Sequence, residues 1–336
     1  MRTVNAFAAK QAGSSLEPLE YELGPLGSND IDIQVEHCGL CHTDLSLRDN
    51  AWGITEFPFV GGHEAIGTVI GAGSEVVHVQ IGDRVGLGGH SHYCMTCRQC
   101  LDGDHNLCET VQSTVSAGRH GAFADIVRAT GVSVVKLPED LDPKDAGPLF
   151  CAGITVFNPF VEYDIKPTAR IAVLGIGGLG HLALQLGKAW GCHVTALTSS
   201  HSKNDEAKAF GAHEVINSRS PEALADAAGT FDIILSTVDV ALDWNVIIAM
   251  LKPKGRLHFL GVQAVPAELH LMPLMFAQLS LSSSLVGSPQ RIADMLEFCA
   301  RHDIKPVTEH FPFAKINEAL AHLESGMARY RIVLDQ

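Results

Sequence analysis

From about residue 170 to residue 287, short apolar runs alternate with segments of helical spacing. The runs 171–174, 193–197, 214–216, 231–235 and 257–260 are rich in Val, Ile and Leu and too short for helices, so they read as strands. The segments between them, including 202–210, read as helices. This alternation predicts a doubly wound parallel sheet, closed by the alternating stretch 279–285. Before residue 140 the pattern differs. Ile31, Ile33 and Val35 alternate with polar residues, and 66–70, 82–86, 121–127 and 132–137 add further short β-type stretches. Helices are predicted at 143–154, 289–301 and 314–325, and a last strand at 330–334. No internal repeat or low-complexity linker interrupts the chain.

One run joins a strand to a helix through glycines: Arg170-Ile-Ala-Val-Leu174, then Gly175-Ile176-Gly177-Gly178-Leu179-Gly180, then a helical apolar pattern to Trp190. Strand, tight turn and helix are the setting in which G-x-G-x-x-G carries meaning. Gly175 lets the chain turn, Gly177 lets a pyrophosphate approach the backbone, and Gly180 lets the helix pack on the strand. The helix start offers free N–H groups and a positive dipole end to phosphates. An acid about twenty residues on would favour an unphosphorylated ribose. Here the second strand ends in Thr198-Ser199-Ser200-His201-Ser202-Lys203, with no acid before Asp205. Hydroxyls and Lys203 suit a 2′-phosphate, so NADP is preferred over NAD. The same hydroxyls also suit an N-cap for a helix starting near Ser202.

The chain has 336 residues, enough for two domains with their own cores; 46% are hydrophobic, and the net charge is −14. Mean hydropathy is +0.15, as for a globular protein. The acidic balance argues against nucleic acid and anionic membranes as partners. No apolar run reaches a membrane span. The first ten residues lack the apolar core of a signal peptide, so the expected compartment is the cytoplasm. Nine cysteines then point to metal rather than disulfides.

Cys94-x₂-Cys97-x₂-Cys100-x₇-Cys108 is the strongest local signal. Four thiols this close wrap one tetrahedral ion, and zinc is the usual structural outcome. An iron–sulfur cluster fits less well, because the spacing and following residue differ from the ferredoxin run. A closed four-thiolate site leaves no position for a substrate and holds a lobe together. Cys38-Gly-Leu-Cys41-His42-Thr43-Asp44 says little by itself. Gly61-Gly62-His63-Glu64 is readable either as a structural turn or as a ligand pair. Cys151, in a helical apolar pattern, is core unless something folds against it; Cys192 and Cys299 read as small apolar residues.

Taken together and in this order, these residues resemble the zinc-dependent medium-chain alcohol dehydrogenases from end to end. Asp49-Asn50-Ala-Trp52-Gly53, Cys151-Ala-Gly-Ile-Thr155 and Thr198-Ser-Ser200 look most like the cinnamyl alcohol dehydrogenase class. Within it, the likeness is greatest to bacterial NADPH-dependent broad-range aldehyde reductases. The resemblance implies a GroES-like β-rich catalytic domain from residues 1–152 and 287–336, with a Rossmann cofactor domain, residues 153–286, inserted. It implies that Cys41, His63 and Cys151 hold a catalytic zinc with an open fourth position, which Glu64 takes at rest. Asp44 would orient His63, and Arg331 would contact the cofactor pyrophosphate. Thr43 would relay a proton to the alkoxide. Many relatives end that relay in a His three residues on, where this chain has Ser46. The proton would then leave through the ribose hydroxyls to water, or to His42.

The expected activity is the interconversion of primary alcohols and aldehydes with NADP(H) and two zincs per chain. Trp52, Leu260 and Val262 are candidate walls of the substrate pocket. An apolar pocket discriminates by only about 1–3 kcal/mol per methylene, so aromatic and medium aliphatic aldehydes are expected together. The 279–285 strand is a candidate seam for a homodimer. Two other readings are a zinc-free quinone or enone reductase, which the three ligand residues disfavour, and a non-catalytic nucleotide-binding zinc redox sensor. A zinc-finger role is disfavoured by the acidic charge.

Overall fold

The computed structural model describes residues 2–262 and 266–336. The chain forms two units, Met1–Ile154 with Val286–Gln336, and Thr155–Leu285.

The first unit is built on a seven-stranded sheet. Its strands run in the order Thr308–Pro312, Arg331–Asp335, Asp30–Leu40, Ala65–Ala72, Arg84–Leu87 and Val134–Lys136, with Ile126–Thr130 also paired to Asp30–Leu40. Ile31, Ile33, Val35, Val69, Val85 and Ile332 fill the core beneath it. The polar alternate positions do not all face water. Asp32 is buried, and its carboxylate takes Arg128 Nε at 2.6 Å and Nη2 at 3.0 Å, with Arg2 Nε at 3.2 Å. A buried carboxylate needs such partners. The stretch 121–127 is strand only from Ile126 onward. Thr308–Pro312, pairing parallel with the last strand, carries no alternation strong enough to be read from sequence.

The predicted helix 143–154 is divided in three. A helical turn Pro143–Ala146 leads into a tight 3₁₀ segment Gly147–Phe150; Cys151 then has φ −124° and ψ −75° before Ala152–Glu162 begins. Pro148 supplies no backbone donor, so an i→i−4 ladder cannot run unbroken through this turn.

The second unit holds a six-stranded parallel sheet in the order Glu214–Asn217, His193–Thr198, Arg170–Leu174, Phe231–Ser236, Leu251–Phe259, Ser280–Ser283. This is the 3-2-1-4-5-6 order of a dinucleotide-binding sheet. Helix Gly180–Trp190 follows the central strand. The predicted helix 202–210 begins only at Asn204, after a 3₁₀ turn His201–Lys203. No described helix is long and apolar enough to cross a membrane.

Candidate metal and cofactor sites

Strand register assembles the first site. Ile332 faces Leu40, so Arg331 and Cys41 end up side by side. Cys38 faces Ala65, which brings His63 and Glu64 to the same end of the sheet. Cys41 has an extended backbone and the helix His42–Arg48 starts directly after it. Asp44, in the first turn, accepts from Cys41 N at 3.0 Å through one oxygen. Its other oxygen meets Gly62 N at 2.9 Å and His63 Nδ1 at 3.1 Å. One buried carboxylate thereby positions two candidate ligands and the turn between them, leaving Nε2 of His63 to ligate. Gly62 adopts φ +91°, and a Cβ there would meet Phe123 N at 2.6 Å.

The fourth participant comes from the break at Cys151. The tip of the Phe150 ring packs on Gly86, where a Cβ would come within 2.1 Å of it. The chain then turns Cys151 Sγ to 3.8 Å from Cys41 Sγ. A disulfide needs about 2.05 Å, whereas two thiolates on one tetrahedral zinc, each at ~2.3 Å, lie ~3.8 Å apart. Donor atoms of Cys41, His63, Glu64 and Cys151 all fall within 4.8 Å of one another. The donor set and its spacing fit zinc. Electrostatics agree: hydrogen bonding from Cys151 holds Cys41 well below the ordinary thiol range against the effect of burial, with help from His63 and Arg331. Cys151 is pushed up by Cys41 and by burial. Two thiols sharing one proton are poised to lose it to a dication. For His63, burial opposes the charged ring, but Asp44 overrides it and raises the pKa well above the usual value.

Glu64 is fully buried, and one oxygen forms an ion pair with Arg331 while the other has no hydrogen-bond partner. Gly39 makes room for it, since a Cβ there would sit 2.0 Å from Glu64 Oε2. Arg331 is 5% exposed and paired with Glu64 within the first unit. That partner lies 267 positions away, and no local pattern announces it. The Thr43 hydroxyl is 3.6 Å from Cys41 Sγ. His42 is exposed and Ser46 half-buried on the same short helix.

Cys94, Cys97, Cys100 and Cys108 form a second group, again with donors within 4.8 Å. Met95 takes φ +60° in the knuckle. Backbone N–H groups of Cys97 and Thr96 point at Cys94 Sγ, at 3.2 and 3.5 Å. The N–H groups of Thr96 and Cys97 pull the Cys94 thiol down to about 5. Burial, then Cys97, pushes Cys100 up to about 12. Cys94 Sγ and Cys100 Sγ are 4.0 Å apart, close to the tetrahedral separation.

In the second unit the glycine turn has the shape its spacing requires. Gly175 has φ +90°, a Cβ on Gly180 would strike Gly175 O at 2.0 Å, and the space around Gly177 is open. Gly178 and Leu179 complete the turn, and Leu179 caps the helix. Thr198 is buried and its Oγ1 accepts from Ser200 N at 3.2 Å. Ser199 is exposed, and Lys203 Nζ donates to Ile176 O, inside the glycine turn, at 2.7 Å. Trp52 is 41% exposed in the first unit; Leu260, buried, and Val262, 56% exposed, belong to the second.

A dinucleotide-type parallel sheet and a β-rich unit gathering a Cys₂His and a Cys₄ donor set define a zinc-type dehydrogenase. The family described as alcohol dehydrogenase GroES-like domain matches residues 27–139, and that described as zinc-binding dehydrogenase matches 178–301. The chain belongs to the zinc-dependent medium-chain alcohol dehydrogenases. It is 57% identical over 331 residues, 98% of both proteins, to the aldehyde reductase AdhA of Synechocystis sp.. It is 35% identical to cinnamyl alcohol dehydrogenase 7 of Arabidopsis thaliana, covering 98% of this chain and 94% of that one. A solved cinnamyl alcohol dehydrogenase of Sorghum bicolor superposes with a TM-score of 0.95 at 34% identity, over 99% of this chain and 98% of that one. The protein is an alcohol dehydrogenase/aldehyde reductase that carries out alcohol and aldehyde oxidoreduction.

Proposed function

We propose that the chain reduces aromatic and medium aliphatic aldehydes with NADPH, using one catalytic and one structural zinc, as a homodimer. The observation that carries the reading is the buried Cys41–His63–Glu64–Cys151 set with the Thr43 hydroxyl beside it. Cys41, His63 and Cys151 hold the catalytic ion, and Cys94, Cys97, Cys100 and Cys108 the structural one. When bound, zinc polarises the carbonyl and the nicotinamide supplies hydride to its carbon. Asp44 keeps His63 in the ligating tautomer. Glu64 stays in reserve, its charge balanced by Arg331. Thr43 hands a proton to the developing alkoxide. Ser46 has no base to offer near neutral pH, so the proton comes through the ribose hydroxyls from water or through exposed His42, next to Thr43.

Cofactor preference rests on the second strand's end. The hydroxyls there do not cap the following helix, whose N-cap is Lys203 with no side-chain bond. Ser199, Ser200 and Lys203, whose Nζ already reaches Ile176 O in the glycine turn, are the groups we assign to a 2′-phosphate. Dimerisation rests on one face of the second unit. Helix Leu271–Ala277 is almost wholly apolar yet has no buried residue; Met275 is 75% and Phe276 83% exposed. The neighbouring strand Ser280–Ser283 ends the sheet, its outer edge unpaired among the described residues. A second copy covers both by two-fold symmetry.

The test is NADPH oxidation with benzaldehyde, on protein whose zinc content has been measured. Two zincs with turnover are expected, and Cys41→Ala is expected to keep one zinc and the fold while losing activity. A single zinc in the wild type, or an active Cys41→Ala protein, overturns the assignment. His42→Gln is expected to lower kcat for aldehyde reduction with little change in KM; an unchanged kcat sends the proton elsewhere.

A further inference from the structure

At the amino ends of the strands in the second unit is a recess of about 440 Å³, lined by Tyr163, Lys166, Thr168, Lys252, Lys254 and Arg256 together with Asp164 and Asp232. Its charges are unequal. Lys252 Nζ donates to both oxygens of Asp232, at 3.0 and 2.9 Å, and Asp232 also accepts from Arg170 N at 2.7 Å. Lys166 pairs with Asp164. These pairs neutralise two cations. Lys254 and Arg256 have no hydrogen-bond or ion-pair partner among the described residues, which leaves two uncompensated positive charges in a chain of net charge −14.

Arg256 is held in place. Its guanidinium carbon lies 4.0 Å above the Tyr163 ring. Tyr163 in turn meets the buried His258 edge-on at 5.2 Å. Both ring nitrogens of His258 are engaged, by Ser282 Oγ at 2.9 Å and Ser284 Oγ at 3.0 Å. A guanidinium stacked in this way keeps its in-plane N–H groups free for a forked contact with an oxyanion, at little further loss of side-chain entropy. The recess is separate from the glycine turn. That turn follows the carboxyl end of strand Arg170–Leu174, and at ~3.3 Å per residue the strand keeps the two ends about 13 Å apart.

We propose that this recess binds a small phosphomonoester, its dianion held by Arg256 and Lys254 and its organic part by the remaining volume. Two unpaired cations match a dianion, the fork of Arg256 matches phosphate oxygens, and the space exceeds what a phosphate group alone fills. Glucose 6-phosphate and inorganic phosphate are the probes, titrated calorimetrically into the full-length zinc-loaded protein saturated with NADP⁺. Glucose 6-phosphate is expected to bind, and to bind about tenfold or more weakly to Arg256→Gln and to the exposed-site variant Lys254→Gln. Lys203→Gln, which alters the cofactor side, is expected to leave its affinity unchanged. Equal affinity for inorganic phosphate supports the site with free phosphate as the ligand. Absence of binding, affinity indifferent to Lys254 and Arg256, or loss on Lys203→Gln overturns the proposal. The Lys203 arm separates this outcome from a failure of the NADP assignment.

Discussion

Asp44 does the positioning that the candidate zinc site depends on, and it does so through three hydrogen bonds to one carboxylate. The motif around Cys41 therefore includes a residue that never touches the metal. Glu64 and Arg331 are a second instance. Each would be costly to bury alone, and removing one partner of such a pair generally costs about 3–5 kcal/mol. Their pairing relies on Gly39, whose missing side chain leaves Glu64 its space. On the cofactor side, the proposed NADP preference turns on the end of the second strand, where Thr198 stands. Thr198→Asp is expected to lower kcat/KM for NADPH by about tenfold or more through repulsion of the 2′-phosphate, and to improve NADH. Steady-state kinetics with both cofactors would show it, and an unchanged ratio would sink the 2′-phosphate reading.

Elements carry residues into place by register and by interruption. The last strand delivers Arg331 because Ile332, Leu334 and Asp335 pair with Leu40, Cys38 and His37. The helix that was expected to run unbroken through Cys151 is interrupted there, and only the interruption turns that thiol to Cys41. A cluster of side chains ties these elements together. His310 lies between Asp145, at 3.1 Å, and Asp335, at 3.1 Å, while His37 Nδ1 meets Asp335 at 2.8 Å. Burial disfavours the charged His310 ring, but its hydrogen bonds to the carboxylates of Asp145 and Asp335 overcome this and raise its pKa above the ordinary value. Its folded pKa thus exceeds its unfolded one. The stabilisation is fully present below the unfolded value of about 6.5 and is lost as pH rises through the folded value. His310→Gln is expected to lower Tm most in acid and to converge with wild type in alkali. A Tm difference that does not change with pH would contradict this.

For the whole molecule, the apolar helix Leu271–Ala277 and the open sheet edge beside it are the features a solitary chain explains least. Phe276→Glu is expected to convert a particle of twice the 35.9 kDa chain mass into a monomer at micromolar concentration, read by light scattering. A wild-type protein already monomeric, or a Phe276→Glu protein still dimeric, removes this face as the seam. The net charge of −14 works against self-association over long range, so the attraction across such a seam has to be apolar and local.

Periodic and closely spaced signals were legible in the sequence. The parallel sheet, the glycine turn and the four-cysteine lobe each lie within one or a few consecutive elements, so spacing alone expresses their geometry. Helix 289–301 was likewise readable from its spacing, with a Ser–Pro start. The family resemblance grouped Cys41, Cys151, His63 and Asp44, which hydrophobic periodicity did not, and the Glu64–Arg331 pair came from the tertiary structure alone. Such contacts depend on strand register and on a broken helix, which hydrophobic periodicity does not encode. The same reason lies behind an expectation that changed, the unbroken helix at Cys151. A buried charge takes the nearest partner the fold supplies, and only the packed chain shows which one that is.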